Sequence, residues 1–170
     1  MNARASSLLI AFFLSLSGAA FAQQPAPAPD ILFTKEMTNI VGRPTTLSPF
    51  RGQPLLINFW ARWCGPCKVE IPELIAAHEQ AKKAGVRIIG IALDDKPGAV
   101  RDFAKAYEIN YPVLLMPENP DTGKLMAALG DTEISIPYTV VIDRNGKIVR
   151  QKLGAMSRTE LATAIDTAAK

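Results

Sequence analysis

Reactive side chains are scarce in this chain of 170 residues, which has two cysteines and one histidine. Two cysteines cannot build the multiple cross-links of a small secreted scaffold. Together with His78 they fall short of the four ligands of a structural zinc site. A Cu(I) site on two thiolates would want further sulfur or a nearby histidine, so no metal and no cofactor is assigned. There is no run of Lys or Arg and no aromatic interleaving, and the formal net charge is +3. That balance excludes an electrostatic case for nucleic acid or an anionic membrane as partner. No internal repeat is visible, which excludes a solenoid or propeller.

What is present is concentrated in one pentapeptide, Trp63-Cys64-Gly65-Pro66-Cys67. Cysteines at i and i+3 share one side of a helix and can close and reopen a disulfide on its first turn. Pro66 suits that first turn, where a missing N–H costs nothing, and Gly65 removes bulk beside the sulfur. The run Pro54-Leu55-Leu56-Ile57-Asn58-Phe59-Trp60 reads as a buried strand leading into the helix. Cys64 then sits at a helix N-terminus, where unpaired N–H groups and the positive dipole end favour a thiolate. Cys64 is the expected nucleophile, forming a mixed disulfide with a substrate. Cys67 attacks Cys64 and releases the product. As a plain staple the pair would contribute little, because so short a loop hardly constrains the unfolded chain.

The N-terminus reads as a targeting segment. Arg4, the apolar run Leu8–Leu16 and the small-residue site Ala20-Phe21-Ala22 make residues 1–22 a secretory signal peptide, cleaved before Gln23. The alternative is an uncleaved anchor, for which the apolar run is short. Gln23 to Asp30 is a Pro/Ala-rich tether, expected to be extended and poorly ordered. Residues 31–170 are then one domain of ordinary size. Export places the cysteine pair in an oxidising compartment, so a dithiol reductant there needs electrons from a membrane thiol carrier.

Along the domain, Asp30 to Gly52 reads as short strands and turns. A helix runs from Cys64 to about Gly85, kinked at Pro72, with Val69, Leu74, Ile75 and Ala76 on its packed face. Val86–Leu93 reads as a second buried strand, Ala99–Tyr107 as a helix, Tyr111–Leu115 as a strand, and Gly123–Leu129 as a helix. Tyr138–Ile142 and Ile148–Leu153 form a hairpin through a tight primed turn at Asn145-Gly146. Ser157 and Glu160 are spaced as a capping box for a last helix. This order predicts an α/β domain, a central mixed sheet with helices on both faces. His78 is expected on the surface, and Trp60 is read as core packing as readily as part of the site.

The block Asn58 to Pro72 resembles the active site of the thioredoxin superfamily, and within it the TlpA/ResA-like branch of exported thiol-disulfide oxidoreductases. Tyr111-Pro112-Val113, Ile136-Pro137-Tyr138-Thr139, the stretch Ile142–Ile148 and Gly154 extend the similarity over roughly residues 31–168. The resemblance implies a thioredoxin-like fold. It implies a cis bond at Pro137, turning the backbone of Ile136 toward the disulfide to pair with an extended substrate. It implies that Glu70 tunes or relays protons for the dithiol; the alternative is an ordinary acid near a helix N-terminus. The position six before the first cysteine, an acid in cytoplasmic thioredoxins, is Asn58 here and does not titrate. The catalytic set is therefore Cys64, Cys67 and Glu70. Substrate contact falls to Trp63, Gly65, Pro66, Ile136 and Pro137.

The expected function is a periplasmic reductase of protein disulfides, of the cytochrome c maturation or copper-site assembly type, acting as a monomer. A Gly-Pro dipeptide between the cysteines is that of reducing thioredoxins, with potentials near about −270 mV. Two alternatives are kept. One is a thiol peroxidase, although Phe59 to Trp63 lack that family's Pro and Thr before the reactive cysteine. The other is a non-catalytic binding or chaperone module built on the same fold.

Overall fold

The computed structural model describes residues 25–94, 96–117 and 119–170. The expected signal peptide lies outside the described residues.

The centre of the sheet is β4 (Leu55–Trp60), buried at all six positions. It lies between two fully or mostly buried neighbours, β5 (Arg87–Ala92) in parallel and β7 (Tyr138–Ile142) in antiparallel register. Both faces of such a strand are covered, which is why its sequence is apolar at every position but Asn58 rather than alternating. β6 (Val113–Leu115) extends the sheet beyond β5, followed by β2 (Met37–Asn39) and β3 (Pro44–Thr45). On the other side β8 (Lys147–Leu153) pairs with β7, and β1 (Ala26–Pro27) closes that edge. The order is β1-β8-β7-β4-β5-β6-β2-β3, with the parallel strands β4, β5 and β6 at its middle.

Alternation along the strands sorts two cores. Leu56, Trp60, Ile88 and Val141 face α2 (Gly65–Lys83), α3 (Pro97–Ala106) and α5 (Arg158–Ala168). Leu55, Ile57, Phe59, Ile89 and Val140 face α1 (Asp30–Thr34) and α4 (Pro120–Ala128). The result is the expected mixed sheet with helices on both faces.

Several local expectations change. Residues 30–34 form a short helix, not a strand or turn, with Leu32 and Phe33 buried against the sheet. The Pro/Ala segment is extended, but Ala26 and Pro27 are paired to β8, and the Ala28 amide donates to the Gly146 carbonyl. α4 starts three residues earlier than expected, because the Asn119 side chain caps the amides of Asp121 and Thr122 and Pro120 fits the first turn. The hairpin turn is not primed: neither Arg144 nor Asn145 has positive φ, while Gly146 does, at 74°. Gly146 donates to the Asp143 carbonyl, and the Asp143 carboxylate takes the amides of Asn145 and Lys147. A type I turn followed by a left-handed glycine satisfies the same Asn-Gly signal with one more loop residue.

α2 runs unbroken through Pro72, which is exposed. Its buried face is Cys67, Glu70, Ile71, Leu74, Ala77, His78 and Ala81. Val69 and Ala76, assigned to that face from sequence, point to solvent; the true stripe starts from Cys67 and includes a carboxylate and an imidazole that an apolar pattern passes over. His78 is buried, not on the surface, packed against the Tyr111 ring at 6.2 Å between centroids. The helix ends where Gly85 turns left-handed at φ 75° and Val86 donates to the Ala81 carbonyl.

Candidate active site

β4 delivers its last residue, Trp60, fully buried and stacked on Phe103 of α3. The chain then turns outward through Ala61, Arg62 and Trp63. Arg62 Nε donates to the Asp94 carboxylate at 2.7 Å, tying this turn to the loop after β5. Trp63 is 67% exposed, and Gly65 and Pro66 are exposed beside it. Cys64 caps α2 with extended backbone, and Pro66 falls in the first turn.

Cys64 and Cys67 form a disulfide, with Cα atoms 5.3 Å apart. The Cys67 amide points at Cys64 Sγ, 3.2 Å away. A thiolate formed at Cys64 on reduction meets that N–H and the positive end of a 19-residue helix. Cys64 retains 4% exposure and Cys67 1%, so the sulfurs lie flush with the surface rather than projecting from it. The surrounding exposure belongs to Trp63, Gly65 and Pro66.

The Ile136–Pro137 bond is cis. The Ile136 carbonyl oxygen lies 3.8 Å from Cys64 Sγ. With the disulfide closed this is a contact only, since no S–H is there to donate. Pro137 leads into β7, and its carbonyl accepts from the Gly154 amide. The structure therefore brings Cys64, Cys67, Ile136 and Pro137 to one place, as the resemblance implies.

Glu70 is not a surface acid. It is 1% exposed, one turn below Cys67. Its Oε2 accepts from Asn58 Nδ2 at 2.9 Å, and its Oε1 from the Met156 amide at 2.8 Å. Asn58 Nδ2 also donates to Thr139 Oγ1 at 3.0 Å. Burial raises the Glu70 pKa above its ordinary value; the Met156 and Asn58 hydrogen bonds offset this in part. The Glu70 charge and above all burial push the Tyr111 hydroxyl up. The sequence marks Asn58 only as the place of a missing acid and Thr139 only as part of the block around Pro137, and Met156 belongs to no motif. Their contact comes from strand register, since Asn58 of β4 and Thr139 of β7 are directly paired.

A dithiol at a helix N-terminus, a backbone corner beside it and a buried carboxyl behind it can exchange disulfides and handle the protons of that exchange. The Redoxin family model matches residues 23–167. The chain belongs to the Redoxin family. The thiol-disulfide oxidoreductase ResA of Bacillus thuringiensis is 30% identical over 125 residues, covering 74% of this chain and 69% of that one. The sporulation thiol-disulfide oxidoreductase A of Bacillus subtilis is 30% identical over 156 residues, covering 90% and 87%. Among solved structures, a thiol:disulfide interchange protein of Chlorobium tepidum superposes with a TM-score of 0.69 at 27% identity, covering 86% of this chain and 98% of that one. This redoxin is a thiol-disulfide oxidoreductase of the TlpA/ResA-like branch, and its Cys64–Cys67 pair is the redox couple.

Proposed function

We propose that the chain is exported and reduces disulfides of other proteins outside the cytoplasm. The observation that carries this is the Cys64–Cys67 disulfide, level with the surface and beside the Ile136 carbonyl. A substrate disulfide approaching there reacts with Cys64, and Cys67 sits close enough to displace it. Trp63, Gly65, Pro66 and the Ile136–Pro137 backbone form the contact surface for an extended segment.

Two features of the sequence support the direction and the place. The Gly65-Pro66 dipeptide is that of reducing couples. The signal-like residues 1–22 support export to the periplasm, with the signal cleaved. An oxidising compartment then requires a membrane thiol carrier as electron donor. The substrate class is a cysteine-pair disulfide in proteins that receive haem or copper.

The reduction potential of the pair tests the direction. Equilibration of the purified protein with glutathione buffers is expected to give about −250 mV or lower. A value near about −120 mV would mark an oxidant and overturn the reductase reading.

A further inference from the structure

We propose that Asp131 is a positioning residue for substrate: its carboxylate fixes the loop that carries the Ile136–Pro137 corner beside the disulfide. The proposal deepens the reductase reading, since it concerns how the same site holds a protein substrate.

The loop lies between α4 and β7. Its start is anchored at the end of α4, where Tyr138 Oη donates to the Leu129 carbonyl at 2.5 Å and the Gln151 side chain bonds the same oxygen. Its far end is anchored by the Gly154 amide on the Pro137 carbonyl, at 2.8 Å. Between them Asp131, 8% exposed, turns its carboxylate back on its own loop. Oδ1 accepts from the Glu133 amide at 3.1 Å and Oδ2 from the Ser135 amide at 2.6 Å. Charge-assisted bonds of this kind are about twice as strong as neutral ones.

The clamp spans a residue that resists its own conformation. Ile134 has φ 52°, the left-handed region, which a β-branched side chain adopts only when its surroundings impose it. Its side chain packs against the core shared by α1 and α4. The two amides held by Asp131 lie on either side of Ile134, so the carboxylate and the core contact together impose that turn. Ile136, the next residue but one, then presents its carbonyl 3.8 Å from Cys64 Sγ. A looser loop would leave the disulfide chemistry in place and spread the Ile136 backbone over many positions, which weakens pairing with an extended substrate.

The test compares two substrates on the reduced full chain. One is a disulfide-linked peptide dimer, which needs the corner; the other is 5,5′-dithiobis(2-nitrobenzoate), which does not. Asp131→Ala is expected to raise KM for the peptide disulfide roughly tenfold, with kcat changed by less than about twofold. The aromatic disulfide rate and the reduction potential stay at parental values. Asp131→Asn keeps one oxygen and should lie between. It also serves as the readable variant where Asp131→Ala does not fold, checked by far-ultraviolet circular dichroism. An unchanged KM in a folded variant, or a parallel loss with both disulfides, would overturn the proposal. Inactivity of the parent toward the aromatic disulfide would instead overturn the redox reading itself.

Discussion

Asn58 of β4 donates to a carboxylate oxygen of Glu70 on α2 at 2.9 Å, so a strand at the centre of the sheet holds an acid one turn beneath Cys67. Position 58 in this chain is thus a donor to a titrating group, where an acid would have been the titrating group itself.

Glu70 should make stability depend on pH. Its folded-state pKa is raised above the ordinary 4.5, chiefly by burial. Its contribution is therefore fully present below about pH 4.5 and is lost as pH rises through the folded value. Glu70→Gln removes this dependence, and Asn58 Oδ1, which has no hydrogen-bond partner among the described residues, can accept from the new amide after a flip. Urea midpoints measured from pH 4 to 8 should fall for the parent relative to the variant. Parallel curves would show that Glu70 titrates alike folded and unfolded.

The two cysteines should differ in what they capture. Cys64 caps the helix between exposed residues, whereas Cys67 is the more buried and lies behind it. Cys67→Ser is expected to accumulate mixed disulfides through Cys64, visible on non-reducing gels. Cys64→Ser should accumulate none. Equal trapping by both variants would overturn the assignment of Cys64 as nucleophile, and trapping by Cys64→Ser alone would reverse it.

His78 should add an acid-side dependence of its own. Burial lowers its pKa from the ordinary 6.5, and its Nδ1 has no hydrogen-bond partner among the described residues. The unfolded chain binds the proton more readily, so stability is full above about pH 6.5 and declines as pH falls toward the folded value. His78→Leu should flatten unfolding midpoints compared at pH 7.5 and 5.5. A decline identical to the parent would place its cause elsewhere.

Gly90 should not tolerate a side chain. A Cβ there would lie 2.8 Å from Trp60 Nε1 and 3.0 Å from Tyr111 Cε2, both in the packed core. Gly90→Ala is expected to cost about 1–3 kcal/mol of unfolding free energy. Urea denaturation measures it, and a loss below about 0.5 kcal/mol would mean that the two rings move aside freely.

The sequence alone determined the class of fold, the redox pair and its neighbours. Mostly apolar runs mark strands covered on both faces, and two sulfurs at i and i+3 around a Gly-Pro pair are a local pattern that survives any packing. The corner at Ile136-Pro137 was legible from resemblance, because its residues keep their order. Tertiary structure decided what lies behind them. Val69 and His78 exchanged their expected environments, because a helix rotates its buried stripe to follow Cys67 and Glu70 rather than the most apolar residues. The Asn58–Glu70–Thr139 contact depends on strand register and on which face of β4 meets α2. Met156 reaches Glu70 with a backbone amide that every residue but proline possesses, so no side-chain pattern could announce it. The left-handed Ile134 is likewise imposed by its surroundings, since nothing in an isoleucine asks for that turn.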